Sequence, residues 1–171
     1  MIARLLVQTA VWLLVTAVLL FVPAGTVRWP QAWALLLEMG GLSVAVGLWL
    51  ARHDPALLRE RLSSPVQPDQ KWWDKIGMVG MILFWCAWFV LIALDAKRFH
   101  WSSVSLPLQL RGVAGIAFST YVAYRVFREN SFAAAVVQVQ KERHHRVVTT
   151  GPYGLVRHPM YGGAIFAFLG I

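Results

Sequence analysis

Between Gly151 and Gly163 the chain gathers four glycines, two prolines, two tyrosines and an adjacent Arg157-His158 pair in thirteen residues. Imidazole and phenol groups donate and accept hydrogen bonds, guanidinium only donates, and aromatic rings present faces to cations. Pro and Gly break regular structure around them. An apolar segment starting near Met160 follows directly. Beside a membrane span, irregular polar backbone is tolerated where it is buried in protein or lines a cavity. The segment is therefore a candidate seat for a small polar ligand at a bilayer surface.

The rest of the chain must position that segment. Of its 171 residues 58% are hydrophobic and 14% charged, against roughly 25% charged in soluble domains. The expectation is an all-α integral membrane protein. About 20 apolar residues cross a bilayer core, and four stretches are long enough: 5–22, 33–50, 76–94 and 110–127. The first is read as a retained helix rather than a signal peptide, because no small-residue cleavage site follows it cleanly. A fifth span begins near Met160 and has only about a dozen residues before Ile171, too few to cross. It is expected to be a helix cut short, with a re-entrant half-helix as the alternative. Residues 1–127 then form a four-helix transmembrane region, with an amphipathic loop at 51–75, and residues 128–171 a ligand-binding segment running into the fifth helix.

Charge supplies the orientation. Of the 16 Lys and Arg residues, twelve fall on the side of the N-terminus, the 51–75 loop and the tail, and four on the other side (Arg28, Lys97, Arg98, Arg111). The positive-inside rule puts the N-terminus and the Gly151–Gly163 segment in the cytoplasm. No nucleic-acid motif accompanies the net charge of +8, so the basic residues are read as topology signals and anionic-lipid contacts. The single cysteine, Cys86, excludes an internal disulfide.

Finer features follow from residue type. Asp54 suits a helix N-cap and Pro55 its first position. Leu57, Leu58 and Leu62 then share one face, which predicts a short amphipathic helix on the membrane surface. Tryptophans near Trp29, Trp72 and Trp101 are expected in interfacial belts. Glu38, inside the second span, requires a partner or a water-lined cavity. The β-branched residues around Val136–Val139 and Val147–Thr150 predict a short extended, hairpin-like excursion before the fifth helix. His144 and His145 lack a nearby carboxylate or thiol, so no metal site is expected.

The stretch from Gln138 to Gly163 resembles the isoprenylcysteine carboxyl methyltransferase family. The matching residues are Gln138, then His145-Arg146-Val147-Val148-Thr149-Thr150-Gly151, Tyr153, and Arg157-His158-Pro159-Met160-Tyr161. Asp54 to Leu62 and Trp73-Asp74-Lys75 are similar to elements of bacterial members, which implies a bacterial inner membrane. The resemblance implies transfer of a methyl group from S-adenosylmethionine to a lipophilic acceptor such as a prenylated cysteine carboxylate. The implied cofactor contacts are Gln138, His145, Arg146, Val147, Val148, Tyr153, His158, Pro159, Met160 and Tyr161. Aromatic faces suit the sulfonium cation, and Gln138 and His145 can hydrogen-bond adenine or ribose.

Family members continue into a further helical stretch whose Arg and Glu serve acceptor and cofactor. No position here matches those two residues, so weak binding and little turnover are expected of this chain. The catalytic residues, the acceptor and the oligomeric state stay open. Three other readings remain beside this one: an NADPH-dependent enzyme like the sterol reductases, a phospholipid N-methyltransferase, or an inactive truncated membrane fragment. Taken singly, His158 and Arg157 also suit headgroup anchoring, and Tyr153 and Tyr161 an interfacial belt.

Overall fold

In the computed structural model, residues 1–63, 71–133 and 148–171 are described. Six α-helices account for most of them: α1 (Ile2–Ala24), α2 (Pro30–His53), α3 (Pro55–Arg61), α4 (Trp72–Leu94), α5 (Leu106–Glu129) and α6 (Pro159–Gly170). A π-helical turn, Asp95–Phe99, prolongs α4, and a 3-10 turn, Gly151–Gly154, precedes α6. Among the described residues there is no strand. The extended excursion expected at 136–150 lies almost wholly outside them; Thr150, which is described, has extended backbone (φ −93°, ψ 167°).

Local chemistry sets the element boundaries. Pro30, Pro55, Pro107 and Pro159 each stand in the first two positions of a helix, where the missing N–H costs nothing. Asp54 ends α2 and starts α3, and its Oδ1 accepts from Leu57 N at 2.9 Å. This capping, expected from the sequence, makes a sharp corner between the two helices.

Two buried clusters lie at opposite ends of the bundle. One joins Leu5, Leu50, Leu57, Leu58, Leu62, Val126, Phe127 and Ala133, with Tyr153 and Met160 packed against it. The other joins Leu20, Ala24, Trp29, Ala32, Phe89 and Ala93, with Ile171 packed against it. The chain therefore runs back and forth between them. α1 and α6 leave the first cluster for the second, and α2 makes the return. The Gly151–Gly163 segment sits at the first.

α6 packs closely along α5. A Cβ on Gly112 would lie 2.6 Å from the carbonyl oxygen of Gly170, and one on Gly170 would lie 2.5 Å from that of Gly112. Only hydrogen on both residues permits this approach. Further along the seam Gly163 faces Val122 and Ser119. At its far end α6 lays Phe168 against Trp85, with ring centroids 4.9 Å apart, and against Phe84 at 5.9 Å.

Three expectations are revised. Among the described residues three helices, not four, are long and apolar enough to cross a membrane: Ile2–Ala24, Pro30–His53 and Trp72–Phe99. α5 has 24 residues, about 36 Å at 1.5 Å per residue, but Gln109, Arg111, Ser119, Thr120 and Arg125 interrupt its apolar run. The fifth apolar helix, α6, forms where expected, with 12 residues.

The leucines of α3 face protein rather than lipid. Leu57 and Leu58 are 0% and 2% exposed, against Leu5, Leu50, Val126 and Phe127. An apolar face of three leucines suits either medium, and the corner at Asp54 folds it back onto the bundle. Trp29 is 6% exposed inside the second cluster, with Lys97 Nζ 5.6 Å from its ring centroid, so it is a core residue and not a belt residue. Trp72 and Trp101 are exposed, as a belt requires. Glu38 is half-buried on α2.

Candidate functional site

The site grows from the end of α5. Asn130 follows the last helical residue, Glu129, and its N–H bonds back to Val126 O. Its side-chain Oδ1 accepts from Phe132 N at 2.9 Å. That bond orients the amide, leaving Nδ2 to donate to the Tyr153 hydroxyl at 2.8 Å. Next to it, Glu129 Oε2 accepts from Thr150 Oγ1 at 2.9 Å. The last residue of α5 and the one after it thus hold two points of the turn that leads into α6.

The turn needs its glycine. Gly151 has φ +58°, a conformation L-residues other than Gly seldom adopt, and a Cβ there would meet Glu129 Cγ at 2.5 Å. Tyr153 N then bonds to Thr150 O, and Leu155 N and Val156 N both reach Pro152 O. The chain emerges at Arg157 and His158 and enters α6 through Pro159.

The residues at the start of α6 divide into two sets. Pro159 is buried, and Met160 is half-buried against the first cluster. Arg157, His158 and Tyr161 are exposed. The His158 and Tyr161 rings stack at 5.3 Å between centroids with 26° between planes, and Tyr161 is 70% exposed. His158 holds the N-cap position of α6 without a side-chain capping bond. Pro159 brings no N–H to this end, and Tyr161 N already donates to His158 O at 3.1 Å, so what this end offers an anion is chiefly the positive end of the helix dipole. Together these features offer a cation-accepting aromatic face, an imidazole and the positive end of a helix dipole within one turn.

Helix α3 braces this end from the other side. The Arg61 guanidinium lies 4.4 Å from the Phe127 ring centroid, and its Nη1 donates to Ala133 O at 2.9 Å. Burial pulls its pKa below the ordinary guanidinium value, yet an arginine remains charged. Arg4 Nη2 and Gln8 Nε2, from α1, both donate to Leu62 O, at 2.8 and 3.1 Å. On the neighbouring face, Trp49 stacks on His53 (4.6 Å) and meets Tyr124 edge-on (4.9 Å). Arg128 lies over Tyr124, 5.8 Å from its centroid.

Of the residues that the resemblance implied, Gln138, His145, Arg146 and Val147 lie outside the described residues. Val148 is half-buried just before the turn. Tyr153 and Met160 share the first cluster, and His158 and Tyr161 share the exposed stack. Glu129 and Asn130 were not singled out from the sequence, and Arg61 entered only as part of the Asp54–Leu62 element. A polar pair at a helix end reads as an ordinary C-terminus, and nothing in its spacing announces a partner more than 20 residues away. An open apolar groove of about 420 Å³, lined by Gly80, Met81, Phe84, Trp88 and Phe168, lies deeper between α4 and α6.

Comparison with protein families matches residues 108–171 to the phospholipid methyltransferases. The match covers nearly all of α5, the turn and α6, and therefore every described residue of the site except those on α1–α3. Comparisons with curated proteins and with solved structures gave no match.

Proposed function

We propose that the chain is a membrane-embedded methyltransferase that uses S-adenosylmethionine to methylate a lipophilic acceptor. The observation that carries this reading is the phospholipid methyltransferase match over residues 108–171, the same residues that build the exposed His158–Tyr161 stack at the start of α6. The residues present suit the cofactor. Tyr161 offers a largely uncovered ring for a sulfonium. The positive end of the α6 dipole favours a carboxylate, and His158 can hydrogen-bond a hydroxyl or ring nitrogen. When bound, S-adenosylmethionine supplies an electrophilic methyl on a positively charged sulfur that leaves as a neutral thioether. The contribution of the protein is then mainly alignment.

Two acceptors fit this reading. One is a carboxylate on a prenylated cysteine or a similar lipophile, in line with the motif order from Gln138 to Tyr161. The other is an amine headgroup of a phospholipid, which the family match favours. Protonation separates them. A carboxylate is ionised above about pH 5, so its methylation is expected to be flat with pH from there to neutrality. An amine must lose a proton to expose its lone pair, so its rate is expected to climb with pH toward about 10. We place the site on the cytoplasmic side of the membrane, on the charge asymmetry of the sequence.

The test is titration of S-adenosylmethionine and of NADPH onto the protein in nanodiscs, with His158→Ala and Tyr161→Leu beside it. Saturable S-adenosylmethionine binding that weakens in both variants supports the reading. Tighter binding of NADPH overturns it in favour of a reductase.

A further inference from the structure

We propose that Glu129 and Asn130 are positioning residues: they latch the Thr150–Tyr153 turn to α5 and thereby set where the His158–Tyr161 stack stands. The inference rests on the methyltransferase reading for what the stack does, but not for the latch itself.

The frame is stiff on one side only. α6 cannot slide along α5, because Gly112 and Gly170 meet backbone to backbone and Gly163 sits against Val122 and Ser119. Backbone contacts of this kind have no side chain to rearrange. The approach to α6, residues 150–158, has no such seam. Within itself it is held by turn bonds of 3.2 Å from Tyr153 N, Leu155 N and Val156 N. These shape the turn without fixing it to the bundle.

The latch does that. Glu129 holds Thr150 at the start of the turn and Asn130 holds Tyr153 three residues on. Two adjacent anchors at a helix end fix an attached turn in orientation as well as position, which one bond cannot do. The Phe132 N bond to Asn130 Oδ1 leaves Nδ2 to face Tyr153, so the polarity of the second anchor is built in. Gly151 completes the fit, because a Cβ would push Glu129 away. Tyr153 is tied through its hydroxyl and by ring packing against the first cluster. Its role is then to carry the position of α5 into the site.

The experiment compares wild-type protein with Glu129→Ala, Glu129→Gln, Asn130→Ala, Tyr153→Phe and the Asn130→Ala/Tyr153→Phe pair, in nanodiscs. Two readouts are taken. The first is amide hydrogen exchange at residues 153–161, which needs no ligand. It is expected to rise in Glu129→Ala and Asn130→Ala while exchange in α1 and α2 stays unchanged. Glu129→Gln, which keeps an acceptor for Thr150, is expected to restore protection. Unchanged exchange at 153–161 overturns the latch, and so does an equal rise throughout the protein.

The second readout is S-adenosylmethionine affinity. Each Ala variant is expected to weaken it about fivefold, the worth of one hydrogen bond. The Asn130→Ala/Tyr153→Phe pair is expected to be no worse than its weaker-binding member, because both changes break one bond. Multiplying losses, or affinity unaffected while exchange rises, overturn the positioning role. If Asn130→Ala fails to fold, Thr150→Val and Tyr153→Phe remove the same bonds from the turn side. If wild-type protein binds no S-adenosylmethionine, the methyltransferase reading falls, and hydrogen exchange still decides the latch.

Discussion

The two ends of the bundle are closed in different ways. At the end that carries Trp29 and the Asp95–Phe99 turn, the hydrogen bonds join near neighbours. The Asp95 carboxylate accepts from the Ser102 amide at 2.8 Å and from its hydroxyl. Trp33 Nε1 donates to Val27 O, and Gln109 Nε2 donates to Val104 O. His100, with φ 52°, ends the π-helical turn by bonding to Asp95 O. None of these bonds spans more than seven residues.

At the other end the bonds cross the chain. Arg4 reaches Leu62 over 58 residues, Arg61 reaches Ala133 over 72, and Asn130 reaches Tyr153 over 23. The first kind of closure forms wherever its own loop forms. The second exists only when α1, α3, α5 and the turn before α6 are all in place, because each bond must offset the entropy of closing a long loop. The candidate site stands on the second kind. Its geometry therefore reports on the whole assembly, while the opposite end is expected to tolerate change.

The strongest challenge to this contrast is Leu57→Ala. Leu57 is fully buried where α3 meets α1, α2 and α5, and a cavity there is expected to cost about 2–5 kcal/mol. Denaturant or thermal unfolding in detergent measures it, with cofactor binding expected to fall in parallel. A cost below about 1 kcal/mol would show that α3 is not a structural brace.

Next in size is Gly112→Leu, on the seam that ties α6 to α5. The carbonyl of Gly170 leaves no room for the added side chain, and overpacking is expected to cost about 1–3 kcal/mol. If binding survives the change intact, the seam does not set the site.

Arg61→Met should cost less, about 1–2 kcal/mol, by losing the bond to Ala133 O and the contact with Phe127 while keeping apolar bulk. Arg61→Lys should recover only part of this, since an ammonium cannot lie flat on the ring while reaching the same carbonyl. A full recovery by lysine would reduce the role of Arg61 to charge alone.

The smallest effect is expected from Ser102→Ala at the locally closed end. The melting temperature should scarcely move and cofactor affinity should not change. A large loss of affinity there would break the distinction between the two ends.

Much of the helical layout was legible in the sequence because it depends on near neighbours. The apolar runs place α1, α2, α4 and α6, and Asp54-Pro55 marks where α3 begins. The residue types from Gly151 to Tyr161 singled out that stretch as a candidate. Other features were not. Leu57, Leu58 and Leu62 form the same apolar stripe whether they meet lipid or protein, so the burial of α3 was invisible. Trp29 likewise has the composition of a belt residue and the position of a core residue. α5 was read as a full span by its length, although its polar residues leave it less apolar than the three helices long and apolar enough to cross.

Sequence alone determined the apolar helices, the corner at Asp54, the positive charge concentrated on one side and the chemistry available between Gly151 and Tyr161. Each follows from covalent neighbours, helical periodicity or simple counting. Tertiary structure alone decided that α3 braces the site, that Glu129 and Asn130 hold the turn, and that Pro159 and Met160 face inward while His158 and Tyr161 face out. Those outcomes depend on which surfaces meet across tens of residues. Apolar stripes and polar helix ends have many possible partners, and only packing of the whole chain selects among them.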